Sequence, residues 1–335
     1  MIQLSGDSPV VVFRQMFSGA LFTQSGQSYV ISYTSTLILT ALAFLIPGKA
    51  GIWNVGAQGQ IYLGGITAAL VSIFIPLPPV IWPLVSVTCA CLAGAVWAAI
   101  PGLLEAYRNA SAIVTTLMLN FIALPLSSFI FFNVIGPKVG QTVYTYSNTQ
   151  FSPNATIPGI PYFTASIMIF VSLIVAVGSL YMLNRTTFGY NIRAAGLGPQ
   201  PAEAKGINPR TMKVLAMIIG GLIAGLAGAG DVLGPGHSCT VNACYFDHFA
   251  EGSFGGEGFA GIAVALVAAN NPIATIFSAT FFSILVSGAS FIVSSSPQPA
   301  QAYVPWAMEG LIILFLAMPN LARMILDMRR RRKWT

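Results

Sequence analysis

The segment Gly51-Ile-Trp-Asn-Val-Gly-Ala-Gln-Gly-Gln60 sets three amides, Asn54, Gln58 and Gln60, directly ahead of the apolar run Ile61–Ile75. An amide both donates and accepts hydrogen bonds, so it can bind a hydroxyl or the polar edge of a base, but it cannot hold a proton or a cation as a carboxylate does. In a lipid environment an unsatisfied polar group costs several kcal/mol, so amides at that depth face a cavity or another helix. Packing through the interleaved glycines explains this segment equally well.

A second segment repeats the pattern. Gly56-Ala-Gln-Gly59 and Gly255-Gly-Glu-Gly258 both read Gly-x-polar-Gly, both precede a stretch rich in Ile, Ala and Leu, and they lie 199 residues apart in the two halves of the chain. Glycine-interrupted short segments at matching positions of two halves mark the central site of many transporters. Five carboxylates, Asp231, Asp247, Glu251, Glu257 and Glu309, fall in or beside apolar runs, where an acid is a functional candidate by default. The first three are expected near an outer interface and Glu309 at the outer end of the last run, which leaves Glu257 as the deep one.

Other chemistry has few residues to work with. His237, Cys239, Cys244 and His248 could supply four nitrogen and sulfur ligands to a tetrahedral zinc, but the spacing fits no standard zinc motif, and no metal is assigned. Cys89 and Cys91 sit inside an apolar run as small hydrophobes. There is no Gly-x-x-x-x-Gly-Lys-[Ser/Thr], so the chain cannot cradle nucleotide phosphates. With two histidines, no Gly-x-Ser-x-Gly and no His-Glu-x-x-His, no catalytic residues are assigned and no cofactor is expected in this chain.

The elements that must position these residues follow from composition. Of 335 residues, 55% are hydrophobic and 7% charged, against about 25% charged in ordinary soluble domains. Soluble, disordered, fibrous and nucleic-acid-binding classes drop out, and the partner is the lipid bilayer. Apolar runs long enough to cross occur near 30–47, 56–75, 83–101, 112–134, 163–183, 212–233, 273–294 and 304–325, with weaker stretches at 8–22 and 258–270. The expected fold is an all-α polytopic membrane protein of about eight to nine transmembrane helices plus broken or re-entrant half-helices, in two pseudo-symmetric halves. Residues 1–335 then form a single transmembrane domain. Met1 to Asp7 lack a basic stretch followed by an apolar one, so insertion is expected to rely on the internal spans.

Sorting the basic residues by side orients the chain. With the tail of 327–335, which contains Arg329, Arg330, Arg331, Arg332 and Lys333, in the cytoplasm and 258–270 returning the chain inward, Lys49, Arg108, Arg185, Arg193, Lys205, Arg210, Lys213 and Arg323 fall inside as well. Only Arg14 and Lys138 of the 15 basic residues remain outside, a strong positive-inside bias. Residues 135–162 become an outer loop and 184–211 the main cytoplasmic loop. In the latter, Pro201-Ala-Glu-Ala-Lys205 can form a short helix that Gly206 ends and Pro209 keeps from restarting; a solvated connector is the plainer alternative.

At this point the residues resemble a family. Gly51–Gln60 resembles the G-[IL]-[FW]-N-[IV]-G-A-E-G-Q signature of permease subunits of nucleoside-type ABC importers, within the branched-chain amino acid and ribose permease superfamily. Gln58 stands where that signature has Glu. Ala112-Ile-Val-Thr-Thr-Leu-Met-Leu-Asn120 is similar to its E-[IV]-[IV]-[ST]-T-[IL]-M-L-N, with Ala112 where the family often has Glu. Gly189-Tyr-Asn-Ile-Arg-Ala-Ala-Gly196 with Ala202-Glu-Ala-Lys-Gly-Ile207, and Gly258-Phe-Ala-Gly-Ile through Asn271-Pro272, resemble two further motifs, all in the family's order.

The resemblance implies a permease for nucleosides in a bacterial cytoplasmic (inner) membrane, without an ATPase site of its own. Its partners would be a second homologous permease chain, a cytoplasmic ABC ATPase that binds ATP and Mg, and an extracytoplasmic substrate-binding lipoprotein. It implies that Asn54, Gln58, Gln60, Asn120 and Glu257 line the translocation path. Pro201, Ala202, Glu203, Ala204, Lys205, Gly206 and Ile207 would form the coupling helix pressed into the ATPase. A sugar or branched-chain amino acid permease is the alternative within the class, and an ion-coupled secondary carrier the alternative outside it.

Overall fold

The computed structural model describes residues 9–135, 155–160, 165–235, 239–240, 243–244 and 256–295. Among these the chain forms α1 (Pro9–Phe22), α2 (Gln24–Lys49), α3 (Ala57–Phe74), α4 (Ile81–Arg108), α5 (Ala112–Ile130, continued by a π-helical turn Phe131–Ile135), α6 (Met168–Arg185), α7 (Thr187–Leu197), α8 (Pro199–Ala204), α9 (Pro209–Leu233), α10 (Glu257–Val267) and α11 (Ala274–Ser295). A two-residue antiparallel pair, Cys239–Thr240 with Ala243–Cys244, and a single antiparallel bridge between Gly159 and Ser166 are the extended pairings there.

Seven of these helices are long and apolar enough to cross a membrane: α2, α3, α4, α5 with its π turn, α6, α9 and α11. They coincide with the first seven runs expected from hydropathy. The eighth, 304–325, lies outside the described residues, as do the basic tail 327–335 and most of the loop 135–162. Of the weaker stretches, 8–22 forms the 14-residue α1 and 258–270 the 11-residue α10, each too short to span about 30 Å at 1.5 Å per residue.

The chain divides into two compact units, residues 27–283 and residues 1–26 with 284–335. In the smaller, α1 meets the second half of α11: Gly19 lies against the Phe291 ring, Gly288 against the backbone of Met16, and Ser287 Oγ donates to the Gly26 carbonyl at 3.2 Å.

In the larger unit α9 lies against both α3 and α4. A Cβ built on Gly225 would lie 2.3 Å from the Ala90 carbonyl oxygen, on Gly94 2.3 Å from the Gly221 carbonyl oxygen, and on Gly228 2.3 Å from the Ile61 carbonyl oxygen. The three backbones are in contact, as small residues permit where no hydrophobic drive separates helix from lipid. Helix α2 is the core element, 89% of its apolar window being buried, whereas α4, α5 and α6 bury 28%, 22% and 28% and so form the outer wall.

The hydrophilic segment 184–211 is more ordered than a connector. Thr186 caps α7 by accepting the Gly189 N–H at 3.1 Å. Helix α8 starts two residues earlier than its sequence suggests, with Pro199 at its first position, and the chain folds back so that the Ile207 N–H reaches the Ala202 carbonyl at 3.0 Å. Pro209 does not merely prevent a helix from restarting: it is the first residue of α9, capped by Asn208, whose Oδ1 accepts the Thr211 N–H at 3.3 Å.

Candidate functional site

The site begins where α2 ends. The Ile52 N–H returns to the Pro47 carbonyl at 3.0 Å, and Gly51 takes a left-handed φ of +81°, the conformation that closes such a turn. The chain then climbs back beside α2, because Asn54 Nδ2 donates to the Ala43 carbonyl at 3.1 Å. Asn54 and Gln60 form a reciprocal amide pair, each Nδ2 or Nε2 donating to the other's oxygen at 3.2 and 3.1 Å, and Asn54 Oδ1 also accepts the Gly56 N–H at 3.1 Å.

Helix α3 therefore starts inside the protein, where its first N–H groups need acceptors. Gly56 has no side chain to cap it; Asn120, from α5, does this instead. Asn120 Oδ1 accepts the Gly59 N–H at 2.8 Å, while its Nδ2 donates to the Val55 carbonyl at 2.9 Å. Gln58 points the other way, and its Oε1 accepts the Gly258 N–H at 2.7 Å.

That last bond joins the two Gly-x-polar-Gly segments. Gly256 is left-handed (φ +81°), Glu257 opens α10, and a Cβ on Gly258 would lie 2.3 Å from the Gln58 backbone nitrogen. Two helix N-termini thus abut backbone to backbone. The Glu257 carboxyl sits at the α10 N-terminus, where helix dipoles favour negative charge. Asn54, Gln58, Gln60, Asn120 and Glu257 are all buried, none more than 7% exposed, and hydrogen bonds tie Asn54 to Gln60, Asn120 to Val55 and Gly59, and Gln58 to Gly258, the residue after Glu257.

The segment 201–207 lies apart from this cluster but is linked to it. A Cβ on Gly196, near the end of α7, would lie 2.2 Å from the Lys49 carbonyl oxygen, and Gly51 lies against the Gly196 backbone in return. Between α7 and α8 opens a groove of about 230 Å³. Of the histidine and cysteine cluster, His237 and His248 lie outside the described residues, and the backbones of Cys239 and Cys244 are partners in the short antiparallel pair.

One buried polar contact escaped the sequence. Asp231, expected at an interface, is 3% exposed and accepts a hydrogen bond from Thr36 Oγ1. Ser32, one turn earlier in α2, donates to the Pro235 carbonyl at 3.3 Å. The signal was present in the hydroxyls of α2: Ser28, Ser32, Ser35, Thr36 and Thr40 recur at helical spacing and are all buried.

Residues 27–318 match the family described as branched-chain amino acid transport system / permease component. The chain is 30% identical over 329 residues, 96% of its length and 87% of the relative's, to the nucleoside ABC transporter permease protein NupB of Lactococcus lactis. It is 30% identical over 92% of its length and 80% of the relative's to the glucose ABC transporter permease protein TsgB13 of Haloferax volcanii. To the guanosine ABC transporter permease protein NupP of Bacillus subtilis it is 28% identical, over 96% of its own length and 90% of the relative's. Lactococcus and Bacillus each hold a second, shorter match, NupC and NupQ.

Proposed function

The chain belongs to the permease family of branched-chain amino acid transport systems, and from that premise we propose that it is the nucleoside-conducting permease of an ATP-driven importer in a bacterial cytoplasmic membrane. The observation that carries the substrate class is the match over nearly the whole chain to relatives named for nucleosides and guanosine. The amide cluster supports it. Asn54, Gln58, Gln60 and Asn120, which here bond to one another and to backbone, carry the donors and acceptors that would complement a neutral solute with a nucleobase edge and ribose hydroxyls once those bonds are released.

In this proposal the path is shut where α3 and α10 abut, and it opens when the Gln58–Gly258 bond gives way. A buried hydrogen bond contributes on the order of 1 kcal/mol net, so a few polar contacts from a solute offset its loss without holding the solute tightly. A second permease chain supplies the other wall, as the occurrence of NupB with NupC and of NupP with NupQ suggests. A binding lipoprotein delivers the solute outside. A cytoplasmic ATPase, which holds the ATP and Mg, acts through residues 201–207. The basic tail and Arg185–Lys213 lie on the ATPase side, as positive-inside sorting requires.

The test is uptake into proteoliposomes holding the four-component transporter, with labelled guanosine, uridine, glucose and leucine. Uptake of nucleosides only with ATP inside is expected. Saturable uptake of glucose alone would favour the second reading, a sugar permease, which the Haloferax relative supports. Uptake by this chain alone on a sodium or proton gradient would overturn the importer assignment.

A further inference from the structure

Asp231 sits in the last turn of α9 with a charge that its surroundings leave unanswered. Its carboxyl is 3% exposed; Oδ1 accepts the Thr36 hydroxyl, while Oδ2 is buried and meets no hydrogen-bond partner. No basic side chain among the described residues pairs with it. A helix C-terminus is the negative end of the dipole and presents carbonyls without intrahelical donors, so it disfavours an acid. Ionised, a buried carboxyl needs a positive neighbour; protonated, it needs an acceptor for its hydrogen. Among the described residues Oδ2 finds neither.

What surrounds the carboxyl is oxygen. Ser32 and Thr36, both buried, stand one turn apart on α2 and make two rungs to the end of α9. One is Thr36 to Asp231; the other is Ser32 Oγ to the Pro235 carbonyl at 3.3 Å, a long bond. Side chains on neighbouring turns are about 5–6 Å apart, the span that a hard cation bridges with an oxygen on either side at about 2.3–2.6 Å. A hydroxyl that donates its hydrogen to a carboxylate still offers a lone pair to a cation.

We propose that Asp231, Thr36, Ser32 and the Pro235 carbonyl hold a monovalent alkali cation that ties α2 to the end of α9. Carboxylate, hydroxyl and carbonyl oxygens select a hard ion. One carboxylate balances one charge, and no group of three or more His, Cys, Asp or Glu that would suit a multivalent ion occurs among the described residues. Carbonyls at helix C-termini within a membrane serve transporters as cation ligands in this way. The ion is a resident, not a co-substrate: it completes the joint between the buried helix α2 and α9. The inference goes beyond the importer reading and does not depend on it.

The experiment measures Tm of the purified full chain in detergent, in choline, sodium or potassium chloride at equal ionic strength, beside binding of radiolabelled sodium. At about tenfold over Kd, sodium or potassium is expected to raise Tm by about 3 °C or more over choline. Whichever of the two raises it more is the resident ion. Asp231→Asn should abolish both the rise and saturable binding, and Thr36→Val should weaken binding by about tenfold or more. Ser32→Ala, a milder change, should weaken it severalfold and serves if Asp231→Asn does not fold. A Tm identical in the three salts would overturn the proposal, and is the result that a buried water at Oδ2 would give. So would a cation-dependent rise that survives in Asp231→Asn. Lys138→Gln tests a side-chain counter-charge: if it lowers Tm as far as Asp231→Asn does and the salts have no effect, a lysine and not an ion answers Asp231. ATP-driven uptake by the four-component transporter is read separately. Uptake with a cation-independent Tm removes the ion site and leaves the importer reading; a cation-dependent Tm without nucleoside uptake does the reverse.

Discussion

Two of the places in the larger unit where glycine brings backbones together have opposite surroundings. Along α9, Gly221, Gly225 and Gly228 meet Gly94, Ala90 and Ile61, and the nearest atoms at each are backbone or the Ala98 methyl. At the start of α3 and α10, Gly258 meets Gln58 just as closely, but there the Gln58 amide accepts the Gly258 N–H, and Asn120 bonds to the next residue of α3, Gly59. Dispersion between close-packed backbones falls off steeply once a gap opens, and water has nothing to offer the surfaces it would wet. Hydrogen bonds can be exchanged for bonds to a solute. In the importer proposed above, the first contact stays shut and the second is the one that opens.

The widest separation between the two should come from Gly225→Val. Its side chain would meet the Ala90 carbonyl, which is backbone and cannot turn aside, so a loss of about 3 kcal/mol or more is expected. Yield of folded protein and Tm in detergent should both collapse. Gly258→Val also meets backbone, at the Gln58 nitrogen, and should lower Tm as well, but by less, since α10 has 11 residues against the 25 of α9, while uptake per folded molecule in proteoliposomes falls by about tenfold or more. Were the two valine variants to unfold alike, the contrast would be lost.

Asn120→Ala comes next. It strips the acceptor from the Gly59 N–H and the donor from the Val55 carbonyl, at about 1–3 kcal/mol for buried groups left unpaired, and should reduce uptake more than Asn120→Asp, which keeps the acceptor. Smallest is Gly178→Ala in α6, where an added methyl meets nothing within 4 Å; Tm and uptake should match the parent protein within error.

Much of this was legible in the residues. Seven spans followed from apolar runs because every backbone group within a bilayer must be bonded inside its own segment. The likeness of Gly56–Gly59 to Gly255–Gly258 singled out two segments that the Gln58–Gly258 hydrogen bond joins. Other features depend on folding and had no local signature. That Asn120 caps a helix 61 residues away is decided by how α5 leans on α3. The hydroxyls of α2 recur at helical spacing, but that Thr36 among them meets Asp231, 195 residues away, is set by how the helices pack. Helix α7 hid within a polar stretch whose only local cue was the capping Thr186. The groove beside it needed Gly198 to turn the chain, an angle that composition does not encode.

The meeting of Gly51 and Gly196 has a mechanical consequence. Most contacts between a docking element and a distant site pass through side chains, which can rotate and absorb part of any displacement. Here carbonyl and Cα touch directly, on the residue that begins the climb to Asn54. A joint of this kind has almost no compliance. In the importer proposed above, travel imposed on α7 would pass to the foot of the amide loop without the slack that a leucine or a methionine in the same place would introduce.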